Sequence, residues 1–382
     1  MLFERSALTL SEYVLILLWI GLCALFAKYV KLTKAETVCG IEEERYHWFF
    51  AIIVFLPVII MAGYRSRWFA DTGLYVSTYL NMPETFSDIP HYLEKSTKDK
   101  GFAFLSCLLR VILGDDFRLY LFLIALIQGI LLVRFYRKYS INYVFSIFLF
   151  VASTDCISWM FNGIRQFIAV TIILAATPLM IKETNSPILT KYLPLVLVII
   201  FASFFHQSAL IMIPIVLFVQ GEAWSKKTLL FIAIVLLTLV FIDSFTSLLD
   251  NALSDTQYKN VVSDYKNWND NGTNPIRVVF YSVPAILSFI ERKKINSSGS
   301  AIIRISANMS IISAGLFIVS MVTSGIYIGR LPVYCSMFGY ILLPWELKNL
   351  SDESTNKIVT SVMVVLFIIF YIYQTHFVWQ LY

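Results

Sequence analysis

The sequence predicts an all-helical protein that crosses a membrane about twelve times, within the roughly ten to thirteen spans that about 20 residues per crossing allows. Three observations predict it. Of the 382 residues, 58% are apolar and only 14% are charged, against roughly a quarter charged in an ordinary soluble domain. The apolar residues gather into long runs, and the 30 Lys and Arg fall mostly between them. Such a chain has too little polar surface to face water on every side. The composition also excludes a disordered chain and a small disulfide scaffold.

The runs cover residues 10–30, 47–63, 117–133, 141–153, 163–181, 192–205, 208–219, 228–242, 276–290, 302–322, 331–347 and 358–373. The first is too long for a secretory leader and lacks an A-x-A cleavage pattern, so it is expected to be a retained helix. Pro57, Pro178, Pro194, Pro214 and Pro284 lie inside runs. Neighbouring helices can satisfy the carbonyls that such prolines free. Residues 101–113 form a further apolar stretch, but it is short and carries Arg110. A surface-lying or re-entrant amphipathic helix is expected there. No internal repeat and no low-complexity linker appears, so residues 1–382 are taken as a single domain.

Orientation follows from the basic residues. Lys28, Lys31, Lys34 and Arg45 flank the first connection, and Arg134, Arg137 and Lys138 follow the third run. Lys226 and Lys227 precede the eighth run, and Arg292, Lys293 and Lys294 follow the ninth. All four groups fall on one side if the N-terminus is external, and that side is expected to be cytoplasmic. The two longest polar stretches, 64–116 and 243–275, then become large external loops. The net charge of +5 contains no long basic block, which argues against nucleic acid as a partner. Cys23, Cys39, Cys107, Cys156 and Cys335 show no ligand spacing, so no metal is assigned.

Ionisable groups at membrane boundaries are functional candidates when they gather on one side. Four groups do so in this topology: Arg65 and Arg67 with Asp71 and Tyr75, then Trp159 with Asn162, Arg165 and Gln166, then His206 and Ser208, then Arg330. Arginine forks match phosphate oxygens with paired hydrogen bonds and stay charged when partly buried. Arg65, Arg67, Arg165 and Arg330 are therefore candidate diphosphate ligands, helped by helix starts near Asn162 and Gly329. Asp71 and His206 are candidates for proton transfer. Tyr75 and Trp159 are candidate sugar platforms, and Asn162, Gln166 and Ser208 are supporting polar groups. Plainer roles exist for several. Arg67 and Arg330 suit headgroup snorkelling, Asp71 suits a helix cap, and His206 suits a carbonyl-bonded interfacial histidine. In the second loop, Asp255, Tyr258, Asp264, Tyr265, Trp268 and Asp270 suit either an acceptor-binding cover or a solvated loop.

At these residues the chain resembles the EpsG-like members of the Wzy polysaccharide polymerases. The matching pieces are Arg65-Ser66-Arg67 with Asp71-Thr72 and Tyr75, then Lys100-Gly101-Phe102, Asn162 with Arg165-Gln166, and Phe205-His206 with Ser208-Ala209. They occur in that order over residues 64–209, with a weaker echo at Arg330. The resemblance implies a GT-C-like fold and a glycosyltransferase of the bacterial cytoplasmic membrane with its site on the external face. It implies joining of undecaprenyl-diphosphate-linked repeat units of O-antigen, capsule or exopolysaccharide. No cofactor is implied. A chain-length regulator and a flippase are the implied protein partners. Arg65, Arg165, Arg67 and Arg330 carry over as diphosphate binders, and Asp71 and His206 as the acid–base or positioning pair, with the proton acceptor left open between them. Two other functions compete: a single-sugar transferase using a polyprenyl-phosphate donor, and a lipid-linked oligosaccharide flippase. A flippase should carry charge along a central path; here the charges crowd one face.

Overall fold

The computed structural model describes residues 10–38, 41–182, 188–252 and 270–381. Among them the secondary structure is helical apart from one two-stranded ribbon. In chain order the elements begin with α1 (Leu10–Tyr29), β1 (Thr33–Val38), β2 (Ile41–Tyr46) and α2 (Trp48–Tyr64). Three short helices follow, α3 (Thr72–Leu80), α4 (Ile89–Lys95) and α5 (Lys100–Leu113), before α6 (Phe117–Tyr139) and α7 (Tyr143–Ala152). A π-helical turn (Cys156–Asn162) leads into α8 (Ile164–Ala175), α9 (Thr177–Ile181), α10 (Ile188–Ser203), α11 (Met212–Phe218) and α12 (Lys226–Val240). The remainder is α13 (Ile242–Ala252), α14 (Pro275–Ile290), α15 (Arg292–Ser297), α16 (Ala301–Met321), α17 (Val333–Asn349) and α18 (Glu353–Tyr373).

Every one of the twelve apolar runs lies on helix. Among the described residues, four helical segments are long and apolar enough to cross a bilayer alone: Glu12–Tyr29, Phe117–Tyr139, Ala301–Met321 and Glu353–Val378. The number rises to six if each of two bent pairs is one span. Those pairs are Tyr143–Ala152 with Cys156–Asn162, bent by 80°, and Lys226–Val240 with Ile242–Asn251, bent by 101°. Five other apolar helices have 10–17 residues, fewer than the about 20 that a straight crossing needs. Helix length and composition thus support four to six crossings among the described residues and do not confirm twelve. One run, 163–181, continues through a backbone break at Ala176, where α8 gives way to α9 just before Pro178; the break at Thr154, whose φ is +67°, falls between two runs.

The chain divides into two compact units, one of residues 1–210 with 357–382 and the other of residues 211–356. In the first unit α2 and α6 form the central pair. They approach closely because Gly63 faces the backbone of Phe122 and Gly129 faces Ile59; a Cβ at either glycine would come within 2.7 Å or 2.5 Å of those residues. Small residues allow this in membrane helices, where packing replaces the hydrophobic drive. At one end of the pair sits the ribbon, an element the sequence pattern did not predict. β1 and β2 pair antiparallel with Thr33 opposite Tyr46 and Glu36 opposite Glu43. Arg45 Nε donates to the Lys138 carbonyl at 3.0 Å, Arg137 Nη2 pairs with Glu36 at 2.6 Å, and the Arg137 guanidinium lies 4.9 Å from the Trp48 ring centre. The first two basic groups of the sequence thus meet at one end of α6.

In the second unit, α14, α16 and α17 pack side by side around buried residues of α16 and α17. The start of α12 is tied to the end of α14 and to α15. Trp224 Nε1 donates to Ser288 Oγ at 3.0 Å, and the Asn296 amide bonds both backbone groups of Ala223. Lys226–Lys227 and Arg292–Lys294 therefore share one end of this unit. At the other end, Asp270 accepts from the N–H groups of Gly272, Gly325 and Ile326 and from Ser324 Oγ. The turn Ile328–Arg330 lies beside it, with Gly329 against Thr273. Of the second-loop candidates, Asp255, Tyr258, Asp264, Tyr265 and Trp268 lie outside the described residues.

Candidate active site

The polar end of the first unit is built from the C-terminal end of α2, the N-terminal ends of α6 and α8, and the segment 65–116. That segment is folded rather than loose. Its helices α3, α4 and α5 cover a cluster of Val76, Tyr79, Met82, Ile89, Phe102 and Cys107 against Tyr120 and Ile164. Arg110, 4% exposed, is held by Glu84 at 2.8 Å and by Asp115, and lies over the Tyr79 ring. Tyr79 stacks on Tyr120 with ring centres 4.1 Å apart. So α5, 14 residues long, is amphipathic and too short to cross a bilayer, and its buried arginine has both partners inside this segment.

Arg65 ends α2. It is 4% exposed, its Nε donates to Thr72 Oγ1 at 2.9 Å, and its Nη1 donates to the Ala62 carbonyl. Its Nη2 is buried and has no partner. Burial pulls its pKa down to about 10, with Tyr75 and Tyr120 acting in the opposite direction, so it remains a cation at neutral pH. Beyond Arg65 the chain turns through Ala70, whose φ is +43°, and the Asp71 N–H donates to Asn162 Oδ1 at 3.1 Å. This bond joins the first and second sequence groups across 91 residues. The Asp71 side chain is exposed.

Arg165, in the first turn of α8, lies over the Tyr75 ring at 5.8 Å. Its Nη1 bonds Asp99 Oδ2 at 2.8 Å. Asp99 did not stand out in the sequence, because it lies in Lys95-Ser-Thr-Lys-Asp-Lys100, which reads as a solvated loop. The fold buries it to 5% side-chain exposure. Asp99 takes a left-handed conformation with φ of +48°, which Asp tolerates better than most residues. The next turn docks on the end of α10, where the Gly101 N–H donates to the Phe204 carbonyl at 2.8 Å. A Cβ at Gly101 would meet Phe204 at 2.8 Å, so a glycine is needed there. The matched piece Lys100-Gly101-Phe102 was the available pointer. Burial pushes the Asp99 carboxyl above the usual carboxylate range, against the opposing effects of Arg165 and a hydrogen bond from the Gln207 backbone. Asp99 Oδ1 is buried without a partner.

The third group closes the set. His206 Nδ1 is 2.7 Å from Ser208 Oγ, and Gln166 Nε2 donates to the same hydroxyl at 3.3 Å. Direct contacts thus join Asp71 to Asn162, Tyr75 to Arg165, Arg165 to Asp99, and His206 and Gln166 to Ser208, while Arg65 bonds Thr72 next to Asp71 and the Gln207 backbone next to His206 bonds Asp99. Arg67 is exposed and lies over the Trp68 ring at 5.5 Å. Trp159 is buried and its Nε1 donates to Asp155 Oδ1 at 3.1 Å, which leaves no open ring face for a sugar. Arg330 belongs to the second unit, where it is exposed at the end of its turn. Among the described residues, no three His, Cys, Asp or Glu side chains gather in a metal-binding group.

Chemically, the first unit offers two guanidiniums that share Tyr75 as a neighbour, one with an unspent N–H and the other paired with a buried carboxylate that has an unspent oxygen. This suits an anion that must be stabilised next to a proton acceptor. No curated protein and no solved structure matches the chain. The sequence model of the EpsG family matches residues 48–380, a stretch that contains every element of the site, and the chain belongs to that family.

Proposed function

We propose that this chain polymerises a surface polysaccharide by joining lipid-linked repeat units, with undecaprenyl diphosphate as carrier and leaving group. Membership of the EpsG family supports a role in polysaccharide biosynthesis at a membrane. The observation that supports the finer assignment is that two guanidiniums, Arg65 with its unspent Nη2 and Arg165 paired with Asp99, both act on Tyr75. The acceptor hydroxyl attacks the anomeric carbon of the growing glycan, and the bond from that carbon to the diphosphate oxygen breaks. Arg65 and Arg165 hold the charge that the diphosphate gains. The hydroxyl proton passes to Asp99, whose free oxygen and raised proton affinity fit a base better than the exposed Asp71. His206, bonded to Ser208, positions that face of the site. The site lies on the external side, opposite the basic ends of the helices, on a GT-C-like arrangement of about twelve membrane helices, some of them broken. A chain-length regulator and a flippase complete the assembly.

The test is the glycan ladder of cells with and without the gene, and with Arg165→Ala in its place. Loss of long chains with retention of single lipid-linked repeats supports polymerisation. Intact chain length with a missing side branch assigns a decorating transferase instead, and lipid-linked units trapped on the inner face assign a flippase.

A further inference from the structure

The second unit holds a polar site that the proposed reaction does not use. Glu291 follows α14 and is 3% exposed, and Glu346 lies in the last turns of α17 and is 0% exposed. None of their four carboxylate oxygens has a hydrogen-bond partner. The packing brings the two together. A Cβ at Gly339 of α17 would lie 3.2 Å from Pro284 of α14 and 3.5 Å from Ser310 of α16. The chain enters α14 and leaves α17 in the same sense, with α16 running back between them. Seven residues, about two helical turns, separate Gly339 from Glu346 and Pro284 from Glu291. The two carboxylates therefore share one level, and the charge of Glu291 acts on Glu346. Ser306, one turn before Ser310 on the same face of α16, is 0% exposed, and its Oγ also lacks a partner.

Two ionised carboxylates facing each other in a dry interior are strongly unfavourable unless something positive lies between them. The level is also where α14 and α17 end, and the negative ends of two helix dipoles add to the same field. The neighbouring cation, Lys294, donates its Nζ to the carbonyls of Asn349 and Leu350. It caps α17 rather than bonding either carboxylate. Buried carboxylates of this kind are neutralised by a proton, paired, or bound to a cation. The donors are all oxygens, with no Cys or His, which selects a hard ion over a transition metal.

We infer that Glu291 and Glu346, with Ser306, form a binding site for one hard inorganic cation that ties α14 to α17. Held this way, the ion is structural and lies at the basic end of the unit, away from the Asp270–Arg330 end.

The test uses the full chain in lipid nanodiscs. Thermal unfolding is followed at constant ionic strength in choline chloride, and then with sodium, potassium, magnesium or calcium chloride replacing part of it. At least one of the four cations should raise the midpoint by several degrees and saturate as a single site. The rise should vanish in Glu346→Gln and in Glu291→Gln, and persist in Glu94→Gln, a change at an exposed position. If no cation differs from choline in the unmodified protein, or if both glutamine variants keep the response, the inference is wrong. Stabilisation by acid alone, with no cation response, assigns the pair to protons and also overturns it. Because the decisive reading is made on the unmodified chain, a variant that fails to fold does not obscure the result.

Discussion

At the scale of single residues, the site depends on what two side chains leave unsatisfied. Arg65 uses two nitrogens inside the protein and has one spare; Asp99 uses one oxygen and has one spare. Arg65→Lys keeps the charge but loses the fork, so long-chain synthesis should fall on the order of 10²-fold. Asp99→Asn should cost about 10²-fold or more, as expected for a general base, whereas Asp71→Asn, at an exposed side chain, should alter chain length by only a few-fold. Both are read on the glycan ladder. Acidity gives a second check. The folded protein holds a proton on Asp99 more tightly than the unfolded chain does, so its ionisation lowers stability as pH rises from the usual carboxylate range through the raised folded value. Polymerisation should need the ionised form and fall as pH drops through that same value, and Asp99→Asn should remove the stability penalty while remaining inactive. The residues with conspicuous chemistry, Arg65, Arg165 and His206, were legible in the sequence as short polar groups at the ends of apolar runs. Asp99 was not, since only the left-handed turn and the docking of Gly101 on Phe204 separate it from an ordinary lysine-rich loop.

At the scale of elements, the apolar runs located helices reliably because a bilayer tolerates few other structures. They located the breaks poorly. The 80° bend before the π-helical turn precedes Asn162 and Arg165, which meet Asp71 and Asp99; it falls in the gap 154–162 between two apolar runs, where the pattern shows an interruption but not its angle. The ribbon β1–β2 was missed for a different reason: its residues are polar and lie between runs, and their pairing is fixed by docking on α6. Asp270 illustrates how a loop is held without a helix. Burial alone would raise its pKa, but hydrogen bonds from Ser324, Ile326, Gly325 and Gly272 outweigh that and bring it below the usual value. The stabilisation is therefore present above the unfolded value and is lost as pH falls through the lower folded one. Asp270→Ala should cost about 1–3 kcal/mol by leaving its donors unpaired. Amide exchange should accelerate at Gly325 and Ile326 and stay unchanged in α6.

At the scale of the whole molecule, each unit taken alone has a basic end and an end that carries acidic and arginine-rich loops. In the first unit, Arg65 lies by Tyr120 near the start of α6, while Arg137 lies 17 residues further along the same helix, roughly 25 Å at helical rise. That separation is most of the thickness of a hydrocarbon core. A single cysteine in place of the exposed Asp88 should react with a membrane-impermeant thiol reagent on intact cells. Reaction only after the membrane is opened would put the site on the cytoplasmic side and remove polymerisation of externalised repeats as the function.

The junction of the ribbon with α6 has one more consequence. Arg45 and Arg137 reach past each other to grip carbonyls on the opposite strand and helix, Arg45 to Lys138 and Arg137 to Tyr46. On the proposed orientation, the guanidiniums that bias insertion by remaining on the inner side also clasp the finished protein. Residues that would steer the nascent chain into the bilayer on that orientation are also a latch between ribbon and helix, so replacing them to reverse the topology should unfasten the structure as well. Lys28 and Lys31, which lie outside the clasp, are the charges through which orientation can be altered on its own.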